Sequence, residues 1–245
     1  MTASTTTSTF VLIHGAADVG WSWHLVAEEL RAHGHEVITP DLPCDDESAG
    51  LPEFADAVEK AVGASTGDVL ARDVSPGARR DLVVVGHSFG GFTAPLIADR
   101  LPVTELIYVA AMIPSPGERP AGWWAHTGYE AAVAEQAALD GGLTGNEDPY
   151  VSFLGGVPEE LAQEAMRRSR GQADASSAAP WPLAAHPQVP TRALVARDDR
   201  FFPADFLRRV TRERLGIEAE EIPGCHCAML SHPRQLAAAL ELSLR

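Results

Sequence analysis

A serine, an acid and a histidine follow one another along the 245-residue chain, each just past an apolar run. The serine lies in Gly86-His87-Ser88-Phe89-Gly90, directly after Leu82-Val83-Val84-Val85. A strand that turns at once into a helix forces its corner residue into a strained backbone conformation. Glycines two positions either side let neighbouring backbone approach without a Cβ clash. G-x-S-x-G is the pattern of a nucleophile elbow, which presents a serine oxygen to substrate at the end of a sheet. The pattern is short and also fits a plain Gly-Ser loop. The apolar strand before it and the helix-compatible run Phe92 to Leu101 after it favour the elbow.

A serine hydroxyl is a weak nucleophile until a base takes its proton, and the base needs an acid to orient it. Leu194-Val195-Ala196-Arg197-Asp198-Asp199 leaves a strand and meets two acids at once. Ile222-Pro223-Gly224-Cys225-His226 ends on a histidine in the same way. An open α/β sheet presents its site at such strand ends. Asp199, four residues before Pro203, is favoured as the orienting acid, and Asp198 is left to cap the next helix or bind water. His226 is favoured as the base. His232 precedes Pro233 and a helix, a packing position; His87 packs beside the elbow, and His14 supports a loop. Cys225-His226-Cys227 suggests a metal, but consecutive residues rarely wrap one ion, so no metal site is expected. Without a GxGxxG or P-loop pattern, no nucleotide cofactor is implied.

The elements that position these residues alternate. Phe10 to Ile13, Glu36 to Thr39, Asp81 to Val85, Leu106 to Ala110, Ala193 to Ala196 and Ile217 to Ile222 read as strands. Helical patterns cover Trp21 to Ala32, Pro52 to Val62, Ala204 to Leu215 and Pro233 to Leu244. This order predicts an α/β fold with about six mainly parallel strands and helices on both faces. Met112 to Pro190 breaks the alternation. It has no convincing strand, a helical stretch at Glu159 to Arg168, and the pair Trp123-Trp124. A structureless loop of that length is unusual. The expected organisation is a disordered tail at 1–8, a core of 9–111 and 191–245, and a helical cap at 112–190. Trp123 and Trp124 are expected to line the pocket over Ser88.

Composition narrows the partners. The net charge of −15 argues against nucleic-acid phosphates and anionic membrane surfaces. No run approaches membrane-span length, and the N-terminal MTASTTTST lacks the apolar stretch of a signal peptide. Cys44, Cys225 and Cys227 form no readable disulfide framework, which suits a cytoplasmic location. Oligomeric state has no readable signature.

With these residues assembled, nearly the whole chain resembles the α/β-hydrolase superfamily, whose members place serine, acid and histidine in this order. VLIHGAADVGWSWHLVAEELRAHGHEVITPDLP and PGCHCAMLSHPRQL are similar to the plant methylesterase and hydroxynitrile lyase group. The resemblance implies a cofactor-free enzyme with Ser88, Asp199 and His226 at its centre. It implies an oxyanion held by the backbone N–H of Phe89 and, from the loop after the first strand, that of Ala16. Gly15 lets that loop fold close to the serine and substrate. The lyases of the group carry a threonine where Gly15 stands and a lysine where Cys227 stands. Both differences imply hydrolysis of a small-molecule ester. Other cofactor-free reactions of the same site, or a binding protein that kept the pocket, are the alternatives.

Overall fold

A computed structural model describes residues 7–66 and 81–242. The chain opens with β1 (Ser8–Ile13), then a 3-10 turn, α1 (His24–Ala32), β2 (Glu36–Ile38) and α2 (Leu51–Thr66). Next come β3 (Asp81–His87), a 3-10 turn at Ser88–Gly91, α3 (Ala94–Arg100) and β4 (Glu105–Val109). Among the described residues only helices and turns follow, until β5: α4 (Trp123–Thr127), α5 (Tyr129–Asp140), α6 (Pro149–Ser152), α7 (Glu159–Arg168) and α8 (Ala175–Ala178). The last part holds β5 (Thr191–Ala196), α9 (Ala204–Leu215), β6 (Glu220–Ile222), α10 (Ala228–Ser231) and α11 (Pro233–Leu240).

The six strands among the described residues pair in parallel, in the order β2-β1-β3-β4-β5-β6. The apolar runs are continuous because both faces are covered. Side chains alternate between the faces. Val11, Ile13 and Val84 join Phe54 and Val58 of α2, Ile97 of α3 and Phe206 of α9. Phe10, Leu12, Val83 and Val85 join Val26 and Leu30 of α1 and Leu236 of α11. Each fully buried aliphatic side chain contributes roughly 1.5–3 kcal/mol.

From β1 the chain runs first to β2 on one side and then to β3 on the other. That reversal opens a crevice beyond the strand ends. Register brings the loops together there. Ile13 pairs with Gly86, so the loops after β1 and β3 start side by side. Ala196 pairs with Ile222, so the loops after β5 and β6 do likewise.

Boundaries differ from the sequence reading in a few places. Ser8, assigned to the tail, is the buried first residue of β1, while residues 1–6 lie outside the described ones. The helix expected from Trp21 begins as a 3-10 turn, Gly20–Trp23, and becomes α-helical only at His24. The run after the elbow likewise turns in 3-10 geometry before α3 starts at Ala94. Strand β6 keeps only three residues of the expected six.

Candidate active site

The corner after β3 is strained as the sequence implies. Ser88 has φ +51°, a left-handed conformation that costs a non-glycine residue about 1 kcal/mol or more. The turn is also too tight for side chains. A Cβ on Gly90 would lie 2.6 Å from the His14 carbonyl oxygen, and one on Gly86 would lie 2.8 Å from the Gly90 carbonyl oxygen. Ser88 is 8% exposed and lies in the wall of a cavity.

The Ser88 hydroxyl is 3.0 Å from Nε2 of His226. Nδ1 of His226 is 2.8 Å from Oδ2 of Asp199. Oδ1 of Asp199 accepts the backbone N–H groups of Phe201 and Phe202, both at 2.8 Å. Those two bonds fix the carboxylate, the carboxylate fixes the imidazole, and Nε2 is left facing the serine. Asp198 points elsewhere: its side chain is mostly exposed, pairs with Arg197 and accepts the Gly224 N–H. The other histidines have separate roles. His14 bridges the Leu42 N–H and the Gly15 carbonyl. Nε2 of His87 lies 3.0 Å from the His226 carbonyl oxygen, and burial pushes that ring's pKa well down, so it is neutral. His232 contacts Ser231.

A cavity of about 340 Å³ opens on Ser88 and His226. Gly15, Ala16 and Phe89 share its wall with Trp124, Phe153 and Phe201. A Cβ on Gly15 would lie 2.9 Å from Cβ of Ser88, so only glycine brings the Ala16 loop this close. Trp123 departs from expectation: it does not line the cavity. It is fully buried, its indole N–H donates to the Ile113 carbonyl at 3.0 Å, and its ring packs on Phe202 and Phe206. Several lining groups were not picked out as site residues from sequence, Phe153 and Asp18 among them. Phe153 stacks edge-on to His226, and Asp18 contributes a carboxylate to the wall. Asp18 follows the loop motif by two residues, and its charge in an otherwise small and apolar stretch was the available signal. Cys227 also lines the cavity, where burial pushes its thiol pKa well up and keeps it neutral. Among the described residues, no three His, Cys, Asp or Glu side chains cluster as a metal would require, and no helix is long and apolar enough to cross a membrane.

A doubly wound parallel sheet with a strained serine beyond a central strand, and its acid and histidine beyond two later ones, defines the α/β-hydrolase class. The chain belongs to the alpha/beta hydrolase family, whose model matches residues 10–239. Relatives that match nearly its whole length include plant proteins. Norfluorocurarine synthase 1 of a Strychnos species is 23% identical, across 95% of this chain and 93% of its own. "Probable esterase PIR7A" of Oryza sativa subsp. indica is 28% identical, across 94% of each. The crystal structure of polyneuridine aldehyde esterase shares the fold, with a TM-score of 0.73 at 20% identity over 96% of this chain and 98% of that one.

Proposed function

We propose that this enzyme hydrolyses small carboxylic esters through an acyl-enzyme formed on Ser88. The observation that carries this reading is the unbroken chain from Ser88 Oγ to His226 to Asp199, at 3.0 and 2.8 Å, on the wall of an apolar cavity. Ser88 attacks the ester carbonyl carbon while Nε2 of His226 takes its proton. Asp199 holds Nδ1–H in place and stabilises the imidazolium. The Ala16 and Phe89 N–H groups receive the oxyanion, a donor of this kind contributing roughly 10²–10³ in rate. His226 then protonates the departing alcohol. Water, deprotonated by the same ring, attacks the acyl carbon and releases the acid and Ser88.

Hydrolysis is favoured over cyanohydrin cleavage by Cys227. A neutral thiol beside His226 supplies no cation for a leaving cyanide. Residues 112–190 serve as a helical cap over a core formed by 9–111 and 191–245, with Trp124 and Phe153 facing the substrate. The free thiols of Cys44, Cys225 and Cys227 suit a reducing, cytoplasmic setting. The test is a panel of methyl and acyl esters of graded size with wild type and Ser88→Ala. At least one ester should be hydrolysed by wild type, with turnover falling about four to six orders of magnitude in the variant. Hydrolysis that survives in Ser88→Ala would overturn the assignment.

A further inference from the structure

Asp18 is the acidic side chain in the cavity wall, and that wall contains no lysine or arginine among the described residues. Oδ1 of Asp18 accepts both local hydrogen bonds, from the Val19 N–H at 2.8 Å and from the Ser22 hydroxyl. Oδ2 accepts no hydrogen bond from the described residues, and Asp18 lines the cavity. No lysine or arginine among the described residues is paired with Asp18, whose electrostatic neighbours are the imidazoles of His14 and His226. His14 is within electrostatic reach, but its Nε2 accepts the Leu42 N–H at 3.0 Å. Its one ring proton therefore sits on Nδ1 and goes to the Gly15 carbonyl at 2.8 Å, leaving the ring neutral. Arg170 is committed to Asp45 and the Leu42 carbonyl. Arg168 is bonded to Glu164 and lies over the Trp21 ring. His226, also within reach, is held by Asp199.

A half-buried carboxylate without a cation is costly in an apolar site. Burial indeed pushes the Asp18 carboxyl above the usual aspartate range. The rest of the wall suits a positive ligand too. Trp124, Phe153 and Phe201 present aromatic rings to the same space, and ring faces attract ammonium groups. An ammonium in the cavity would gain both the carboxylate and the rings.

We propose that Asp18 is a specificity residue that selects esters bearing an ammonium group. This rests on the ester-hydrolase reading above. Asp18→Asn suits the test, because the amide oxygen can still accept the Val19 and Ser22 bonds that shape the loop. Isosteric substrate pairs differ only in charge: choline esters against 3,3-dimethylbutyl esters, and a matched pair with the charge in the acyl part. Wild type should favour the cationic member of at least one pair. Asp18→Asn should lower kcat/KM for that member roughly 10- to 100-fold and leave the neutral one within about threefold. A second arm measures benzyltrimethylammonium binding by calorimetry in Ser88→Ala with and without Asp18→Asn, where the same loss is expected. The proposal is overturned if no pair shows a charge preference, or if both members lose equally, which would place the effect of Asp18 on His226. If no ester is hydrolysed, but the ammonium binds and Asp18→Asn weakens it, the cation site stands and the ester reading falls. No ammonium binding in that case removes both.

Discussion

Asp198 and Asp199 are neighbours in sequence and opposites in environment. Asp199 is buried, with each carboxylate oxygen engaged; Asp198 faces solvent. Asp199→Asn places an amide against Nδ1 and favours the wrong imidazole tautomer. It should lower kcat about 10⁴-fold, whereas Asp198→Asn should change it by less than about fivefold. Steady-state kinetics of the two variants decides this, and the reverse ranking would move the orienting role to Asp198. Ser88 and His226 were legible because each type stands at a strand end in the order this chemistry uses. Choosing Asp199 needed only the spacing to Pro203. Asp18 escaped notice because the role proposed for it depends on lining the cavity, and that placement comes from the loop's three-dimensional path.

Trp123 and Trp124 show what an element adds to a residue. Neighbours on a helix point about 100° apart, so α4 cannot aim both indoles at one cavity. Trp123 turns inward and ties α4 to β4's exit through Ile113 and to α9 through Phe206. Trp124 lines the cavity that opens on Ser88. Trp123→Ala should cost about 3–5 kcal/mol in urea unfolding, as large buried aromatics do. Trp124→Ala should leave stability within about 1 kcal/mol and act instead on kcat/KM, since half-buried wall residues contribute less to packing. A large stability loss at Trp124 with none at Trp123 would reverse the two roles. The sequence announced that this aromatic pair packs, not which ring packs where. The helices expected at about Ala204 to Leu215 and near Glu159 to Arg168 form there: α9 runs Ala204–Leu215 and halts at Gly216, whose φ is +69°, and α7 spans Glu159–Arg168. Strand β6 was overestimated because an edge strand pairs on one side only, and Ile217 to Ala219 find no ladder partner there.

Across the whole molecule, the long helical segment is tied to the rest of the chain by hydrogen bonds at several points, among them Trp181 to the Phe92 carbonyl, Tyr129 to the Phe201 carbonyl and Glu118 to Arg214. Glu118 accepts from Arg214 of α9, from His126 and from the Ser115 N–H. Burial pushes its carboxyl pKa up, but the hydrogen bonds of Arg214 and His126 outweigh that and hold it below the ordinary glutamate value. A carboxyl depressed by folding gives stability above its unfolded pKa, and that contribution fades as pH falls through the folded value. Glu118→Gln should therefore cost about 3 kcal/mol near neutral pH, with the gap to wild type closing in acid. Thermal unfolding across pH 3–8 tests this (roughly the span over which a carboxyl titrates); a gap independent of pH would contradict it. The parallel sheet was legible because uninterrupted apolar strands alternate with helical patterns. Strand order was not, since pairing Ile13 with Gly86 and Ala196 with Ile222 is settled by contacts between distant segments. Those two pairings bring four loops to one point, and the proposed chemistry needs all four at once. The most direct test of it is to mix the enzyme rapidly with an activated ester, quench in acid, and locate the acyl group by peptide mass spectrometry. One acyl group per chain on Ser88, formed as the first alcohol is released and absent from Ser88→Ala, is the predicted result. Ester turnover with Ser88 unmodified and the rate unchanged in Ser88→Ala would contradict it.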